Sequence, residues 1–416
     1  MKKDLSQAKV LLMEEYTSKN KRSDKEIVAF HAGMNYLIDY LDESNGRLND
    51  YIPDETLYSQ RTENNVIKLL EKEVAQMKLD MKELQTSFKE SVDKINFKNR
   101  AKGKDKHILV IMDAFKGCLS STEAGEAVVK GIRTALPHAS VHHMPMSDGG
   151  EGMVDALLTA KGGTKVRLVL NGPLMQLREA FYGISDDKQT AYIEIADICG
   201  LPLVPTEQRN PLLTTSYGVG EAIMHALNHG CRNIVVGLGG SATNDVGVGM
   251  LQALGYRFLD KRGNELPAGC GGMLERIITI DDSDVSPLLE QATFNVLCDV
   301  DNPLCGKKGT VKVFAPQKGA VTAKMLKTLE NGVTHFADLT STHIGIDMRD
   351  DAYTGAAGGL AFALGSYLHA TFHSGIQYML KQSNFTGFLP NTHVIITGEG
   401  KADRQTLMGK TPFGIL

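Results

Sequence analysis

The chain has 416 residues, 42% of them hydrophobic, and at roughly 150 residues per domain that length predicts two or three domains with real cores. Its 45 basic and 49 acidic side chains leave a net charge of −4, which excludes a net positive field for nucleic acid or an anionic bilayer, so any polyanion must be met locally. The polar start Met1-Lys2-Lys3-Asp4 argues against a secretory signal, and six cysteines without a Cys-x-x-Cys pair predict neither a zinc site nor a disulfide framework, which fits a reducing cytosol.

Residues 1–106 hold 3 of the 42 glycines but 20 of the basic and 19 of the acidic residues, a mixture typical of exposed helices. A capping box, Ser23 with Glu26, opens a helix with Ile27, Phe30, Met34, Leu37 and Leu41 on one face. Farther on, Ile67, Leu70, Val74, Met77, Met81, Leu84, Phe88 and Ile95 fall on alternating three- and four-residue steps, missing only at Ser91. Such an a/d seam, sustained for about four heptads, predicts a coiled coil. Residues 1–100 therefore read as an all-α, partly coiled-coil module, either an intramolecular hairpin or a homo-oligomer seam. Residues 101–106, with three lysines and a glycine, read as a linker.

From His107 the texture is α/β. Ile108 to Met112 is an apolar run of buried-strand type, followed by a polar turn and a second capping box at Ser120 and Glu123. The ensuing helix has the stripe Ala124, Val128, Ile132, Ala135 and stops at Pro137. His142-His143 reads as a strand-edge pair rather than a metal site. Thr215 can cap a helix running to Gly230, Ile234 to Val236 forms a strand entering a glycine turn, and Phe294 to Leu297 is a further apolar run. The uncharged run 354–380 is long enough to span a membrane but carries His369, His373, Gln377 and five glycines, so it reads as buried helix. Val394 to Ile396 is a last strand. This alternation predicts a mainly parallel sheet with its ligands at the carboxyl ends of the strands.

Four loops at those ends combine glycines with carboxylates and hydroxyls: 113–117 (DAFKG), 147–152 (SDGGEG), 237–245 (GLGGSATND) and 397–403 (TGEGKAD). Glycine turns opening onto helix N-termini present free N–H groups to phosphate, and acids on the same rim suit Mg2+. Each loop alone is a weak signal, and an acid beside one is often only a helix cap. Residues 298–304 (CDVDNPL) add two acids and an amide, suited to Mg2+, to a hydroxyl or to an Asx turn before proline. Known fingerprints fail: 404–411 has Arg404 in place of the first P-loop glycine, the Gly237 loop lacks the third dinucleotide glycine, and no Gly-x-Ser-x-Gly elbow stands at a strand end.

Taken in order, 113–120, 148–152, 214–220 (TTSYGVG), 239–245, 298–304, 316–319 (PQKG), 355–360 (GAAGGL) and 397–400 with Asp403 resemble the bacterial branch of the glycerate kinase family, over some 300 residues. The resemblance implies an α/β kinase region of two domains: a flavodoxin-like one from both ends, 107–170 and 300–416, and an α/β domain inserted at 171–299. It implies ATP-dependent phosphorylation of D-glycerate, with 2-phosphoglycerate favoured as the product and ATP and Mg2+ as cofactors. Departures from the family pattern include Ala114, Cys118 and Ser147, and above all Val246, where a glycine commonly follows GGSATND. A β-branched residue tolerates positive φ poorly and is expected to reshape that loop. The last residues, Gly414-Ile415-Leu416, fall where family members continue, so part of the sheet is expected to be missing.

With that chemistry, Lys116 is expected to pair a phosphate or the substrate carboxylate. Asp148 and Asp299 orient Mg2+ or accept the hydroxyl proton. Gly239, Gly240, Ser241, Thr243 and Asn244, with Gly149, Gly150, Thr397, Gly398 and Glu399, hold the nucleotide; Asp148, Glu151, Asp245 and Asp301 are the candidate metal ligands. The alternative is a coiled-coil, self-associating regulator with an inactive kinase-like domain.

Overall fold

Residues 106–115, 118–400 and 411–415 are described by the computed structural model. They belong to the second of the chain's two units, 105–416; the first is 1–104. The helix capped by Ser23 and the heptad seam lie outside the described residues, as does Lys116.

The first apolar run forms strand β1 (His107–Met112) at the centre of a three-stranded parallel sheet, flanked by β2 (Ser140–Pro145) and β11 (Val394–Gly398) in the order β11-β1-β2. Ile108, Val110 and Met112 face helix α1 (Ser121–Ala135) at Ala124 and Val129. Leu109 and Ile111 face the other way, onto Met153 and Leu157 of α2 (Met153–Lys161) and Ile376 and Met379 of α7 (Gly375–Gln382). Burial on both faces explains why the strand reads as unbroken apolar sequence. The capping box of α1 is formed: Ser120 N donates to Glu123 Oε2 at 2.8 Å and Glu123 N to Ser120 Oγ at 3.2 Å. His142 and His143 lie on β2, an edge strand among the described residues, and His142 stacks on Phe388.

A second sheet of six strands has the order β10-β9-β6-β5-β4-β3, from β3 (Thr164–Asn171), β4 (Leu177–Ile184), β5 (Thr190–Glu194), β6 (Asn233–Gly237), β9 (Thr293–Leu297) and β10 (Thr371–His373). Its helices include α3 (Tyr217–Asn228), α4 (Val248–Ala253), α5 (Ala323–Ile344) and α6 (Leu360–Leu368), and β7 (Arg257–Leu259) pairs with β8 (Thr279–Asp281) in a ribbon. The core here is aromatic as well as aliphatic, with Phe258, Phe336 and Phe362 fully buried. Tyr192 and Val235 of this sheet share one cluster with Leu109 and Ile111 of the other, so α2 and α7 are packed between the two sheets.

The pairing is mainly parallel, as expected: β11, β1 and β2 run parallel, as do β5, β6, β9 and β10, while β3, β4 and β5 pair antiparallel. The strands of the larger sheet fall between β3 and β10, residues 164–373, and α5 puts Leu329, Val333 and Phe336 into that core; amphipathic spacing shows that a face is buried but not against which sheet. Two expectations are corrected. The uncharged run near residue 360 is not one helix: α6 ends at His369, which takes a left-handed φ of 51°, and β10 and α7 follow. Helix α3 begins one residue later than expected, with Ser216 at its N-cap and Thr215 Oγ1 accepting from Tyr217 N at 3.2 Å.

Candidate active site

Both sheets end, at their carboxyl edges, in the glycine loops. Met146 N donates to Met112 O at 3.1 Å and Asp113 N to Gly398 O at 2.9 Å, so the three strands of the small sheet stay coupled as they enter their loops. In the first of these, Asp148 Oδ1 accepts from Gly150 N at 3.1 Å and Ser147 Oγ from Gly149 N at 3.3 Å, a tight Asx-type bend. Gly149 takes φ 90°, open to glycine at little cost, and a Cβ there would come 3.0 Å from Leu297 Cβ at the end of β9. Gly239, after β6, packs so closely on Gly150 that a Cβ would fall on the Gly150 Cα. Likewise a Cβ on Gly375 would collide with the Asp148 carbonyl. Loops from both sheets therefore touch backbone to backbone around Asp148.

Asp299, two residues past β9, faces the same bend. Its Oδ1 accepts from Ser374 Oγ at 2.8 Å and from Gly375 N, the first residue of α7, at 2.9 Å. Its Oδ2 is buried with no hydrogen-bond partner. Burial, reinforced by the Asp148 charge, pushes the carboxyl up to about 6. The two acids are thus close enough to interact, and one carboxylate oxygen of Asp299 is buried without a hydrogen-bond partner.

Two buried charges beside these loops escaped the sequence reading. Glu194, at the end of β5, accepts from Gly152 N at 3.1 Å and Val154 N at 3.3 Å, holding the start of α2. Burial raises it to about 7. Lys318, in the Pro316–Lys318 turn, donates to Ser241 Oγ at 2.8 Å and Thr243 O at 2.7 Å, and burial lowers it to about 8. Neither lies in a glycine-rich loop, so composition carried no signal; the only trace of Lys318 was its place in PQKG.

Among the remaining candidates, Gly240 takes φ 71° and its carbonyl accepts from Leu201 N at 2.7 Å, while Asn244 is fully buried with neither Oδ1 nor Nδ2 hydrogen-bonded. Thr397 is exposed, and Gly398 and Glu399 are half-buried at the end of β11 beside Asp113. Asp113 Oδ2 accepts from Thr411 Oγ1 at 2.8 Å, where α8 (Thr411–Ile415) starts.

Asp245, one of the candidate metal ligands, is engaged by donors at the starts of two helices. Its Oδ2 accepts from Ser216 N at 2.8 Å, Ser216 Oγ at 2.7 Å and Gly249 N at 3.3 Å, and its Oδ1 from Gly247 N at 3.3 Å. This fully buried carboxylate ties the starts of α3 and α4 together. Of the other metal candidates Glu151 and Asp301 are exposed, and among the described residues no three acids, histidines or cysteines form a metal-holding group. Val246 follows with φ 52° while fully buried, so the loop keeps a left-handed turn here despite the β-branch.

A model of the glycerate kinase family matches residues 108–416. The chain is 46% identical over 308 residues to a glycerate kinase of Bacillus subtilis, covering 74% of this chain and 80% of that protein. To a glycerate 2-kinase of Escherichia coli it is 42% identical over the same shares. A crystal structure of a Salmonella typhimurium LT2 protein assigned as glycerate kinase 2 superposes with TM-score 0.68 at 42% identity, covering 75% of this chain and 83% of that one.

Proposed function

Since the chain belongs to the glycerate kinase family, we propose that it is an ATP-dependent kinase that phosphorylates the 2-hydroxyl of D-glycerate in the crevice between the two sheets' loop edges. The observation that carries the reading is the pairing of Asp148 with Asp299, whose Oδ2 is buried without a partner, among glycine turns from both sheets. The 42% identity to a glycerate 2-kinase favours the 2-hydroxyl over the 3-hydroxyl.

Phosphoryl transfer needs alignment and charge neutralisation more than covalent help. In this reading the substrate hydroxyl donates a hydrogen bond to Asp299 Oδ2. As the new O–P bond forms and the bond to the β,γ-bridging oxygen breaks, the hydroxyl proton passes to that carboxylate and ADP leaves. A carboxyl raised to about 6 is a stronger base than an ordinary aspartate yet mostly ionised at neutral pH. The backbone of 239–243, with Asn244, Gly149 and Gly150, receives the polyphosphate; Thr397, Gly398 and Glu399 border it from the small sheet; Lys116 pairs with phosphate or with the glycerate carboxylate. Asp148, with one oxygen held by Gly150 N and no donor to the other among the described residues, fits Mg2+ of the kind held by one or two carboxylates plus substrate phosphates. When bound, that ion neutralises developing phosphate charge. The cysteines are all free, in keeping with a cytosolic setting, and among the described residues no helix is long and apolar enough to cross a membrane.

Asp148→Asn is the direct test. The variant is expected to fold normally and lose about two or more decades of glycerate-dependent ADP release. Near-normal turnover in a folded variant removes Asp148 from the mechanism.

A further inference from the structure

Among the described residues Lys318 is the most deeply buried cation, 3% exposed, and none of their carboxylates forms an ion pair with it. Its ammonium has three N–H donors, and the protein takes two: Ser241 Oγ at 2.8 Å and Thr243 O at 2.7 Å. The titratable groups facing it are Cys199, a neutral thiol that burial pushes up to about 12, and Asp245, whose oxygens are committed to Ser216, Gly247 and Gly249. A desolvated cation without a contacting anion is costly, and such exceptions concentrate where function uses the charge. Here the charge sits beneath one loop. Gly239, at its start, packs on Gly150 next to Asp148, and Asn244, at its end, has a fully buried side chain with both polar atoms unpartnered.

We propose that Lys318 is a positioning residue for the nucleotide: it clamps residues 239–244 from below in the shape that receives the polyphosphate, and places a fixed positive charge under that loop. The proposal rests on the kinase reading above and adds to it a residue outside the glycine loops. A lysine serving only to hold the fold would make every substrate parameter and the melting temperature suffer together. A positioning charge affects the nucleotide alone.

The test is Lys318→Met in the full chain, with MgADP binding by calorimetry, KM for MgATP and for D-glycerate, and thermal melting. Methionine matches the volume and removes a buried charge, a change often neutral or stabilising, so the melting temperature is expected not to fall. Loss of charged hydrogen bonds is expected to weaken MgADP binding and raise KM for MgATP by about tenfold or more, with KM for glycerate within about twofold. Wild-type binding provides a readout that does not depend on the variant folding: the ammonium releases its proton near pH 8, so MgADP affinity is expected to weaken between pH 7 and 9. A folded K318M that binds MgADP like the wild type overturns the role of Lys318 and leaves the kinase reading intact. So does a flat wild-type affinity across that pH range. Failure of the wild type to bind MgADP at all overturns both.

Discussion

Asp299 concentrates the chemistry at the scale of one side chain. Its carboxyl is raised to about 6 chiefly by burial, so any stability linked to its proton is present below the unfolded value and lost as pH rises through about 6. Above that pH the ionised group costs stability and is ready to accept a proton. Asp299→Asn keeps an acceptor for Ser374 Oγ and Gly375 N but abolishes the base. It is expected to melt no lower than the wild type at pH 7.5 while losing about two to four decades of turnover. The wild-type kcat/KM is expected to fall as pH drops through about 6, and a rate unchanged down to pH 5 would remove Asp299 as the base. Val246 invites a second comparison. In its left-handed turn glycine is free of a strain of about 1–2 kcal/mol that alanine keeps, so Val246→Gly is expected to be at least as stable as Val246→Ala in denaturant melts. The usual order, with Ala ahead by about 0.5–1 kcal/mol, would show that the turn is unstrained. Sequence made Asp148 and Asp299 visible because each adjoins turn-forming residues, and Asp299 also follows the apolar run 294–297. It could not see the donors that surround Asp245, since an acid beside a glycine loop looks alike whether it awaits a cation or caps two helices. Glu194 and Lys318 were invisible as site residues because their partners lie 40 to 77 residues away in the chain.

At the scale of elements, what could be read was what local chemistry decides. The Ser120–Glu123 box and the apolar runs of β1, β6 and β11 need only neighbouring residues to be recognised, and they stand where the spacing puts them. The break between α6 and α7 needed His369 to leave helical φ, which no propensity dictates, and the antiparallel β3–β4 hairpin depends on pairing rather than periodicity. The loops' mutual contact is testable through Gly239. A methyl group there must separate it from Gly150, and displacement on the order of 1 Å at a reacting centre can cost about a hundredfold. Gly239→Ala is accordingly expected to reduce kcat/KM by about two decades in steady-state assays, and an unaltered rate would mean that the approach of the two loops does not matter to the reaction.

For the whole molecule, the sharing of one core by two sheets explains why the site forms where it does. Helices α2 and α7 fill the space between the sheets and are packed against both, so the Asp148 loop that opens α2 and the Ser374 cap that opens α7 are brought to the same place. Strands alternating with helices were legible, and the division in two came with the family resemblance; which sheet residues 300–373 join was not legible, because their patterns fit either core equally well. The decisive experiment is product identification by phosphorus NMR with MgATP and D-glycerate. Glycerate-dependent appearance of 2-phosphoglycerate with matching ADP is the predicted result; ATP left unconsumed, or 3-phosphoglycerate as the sole product, would contradict it.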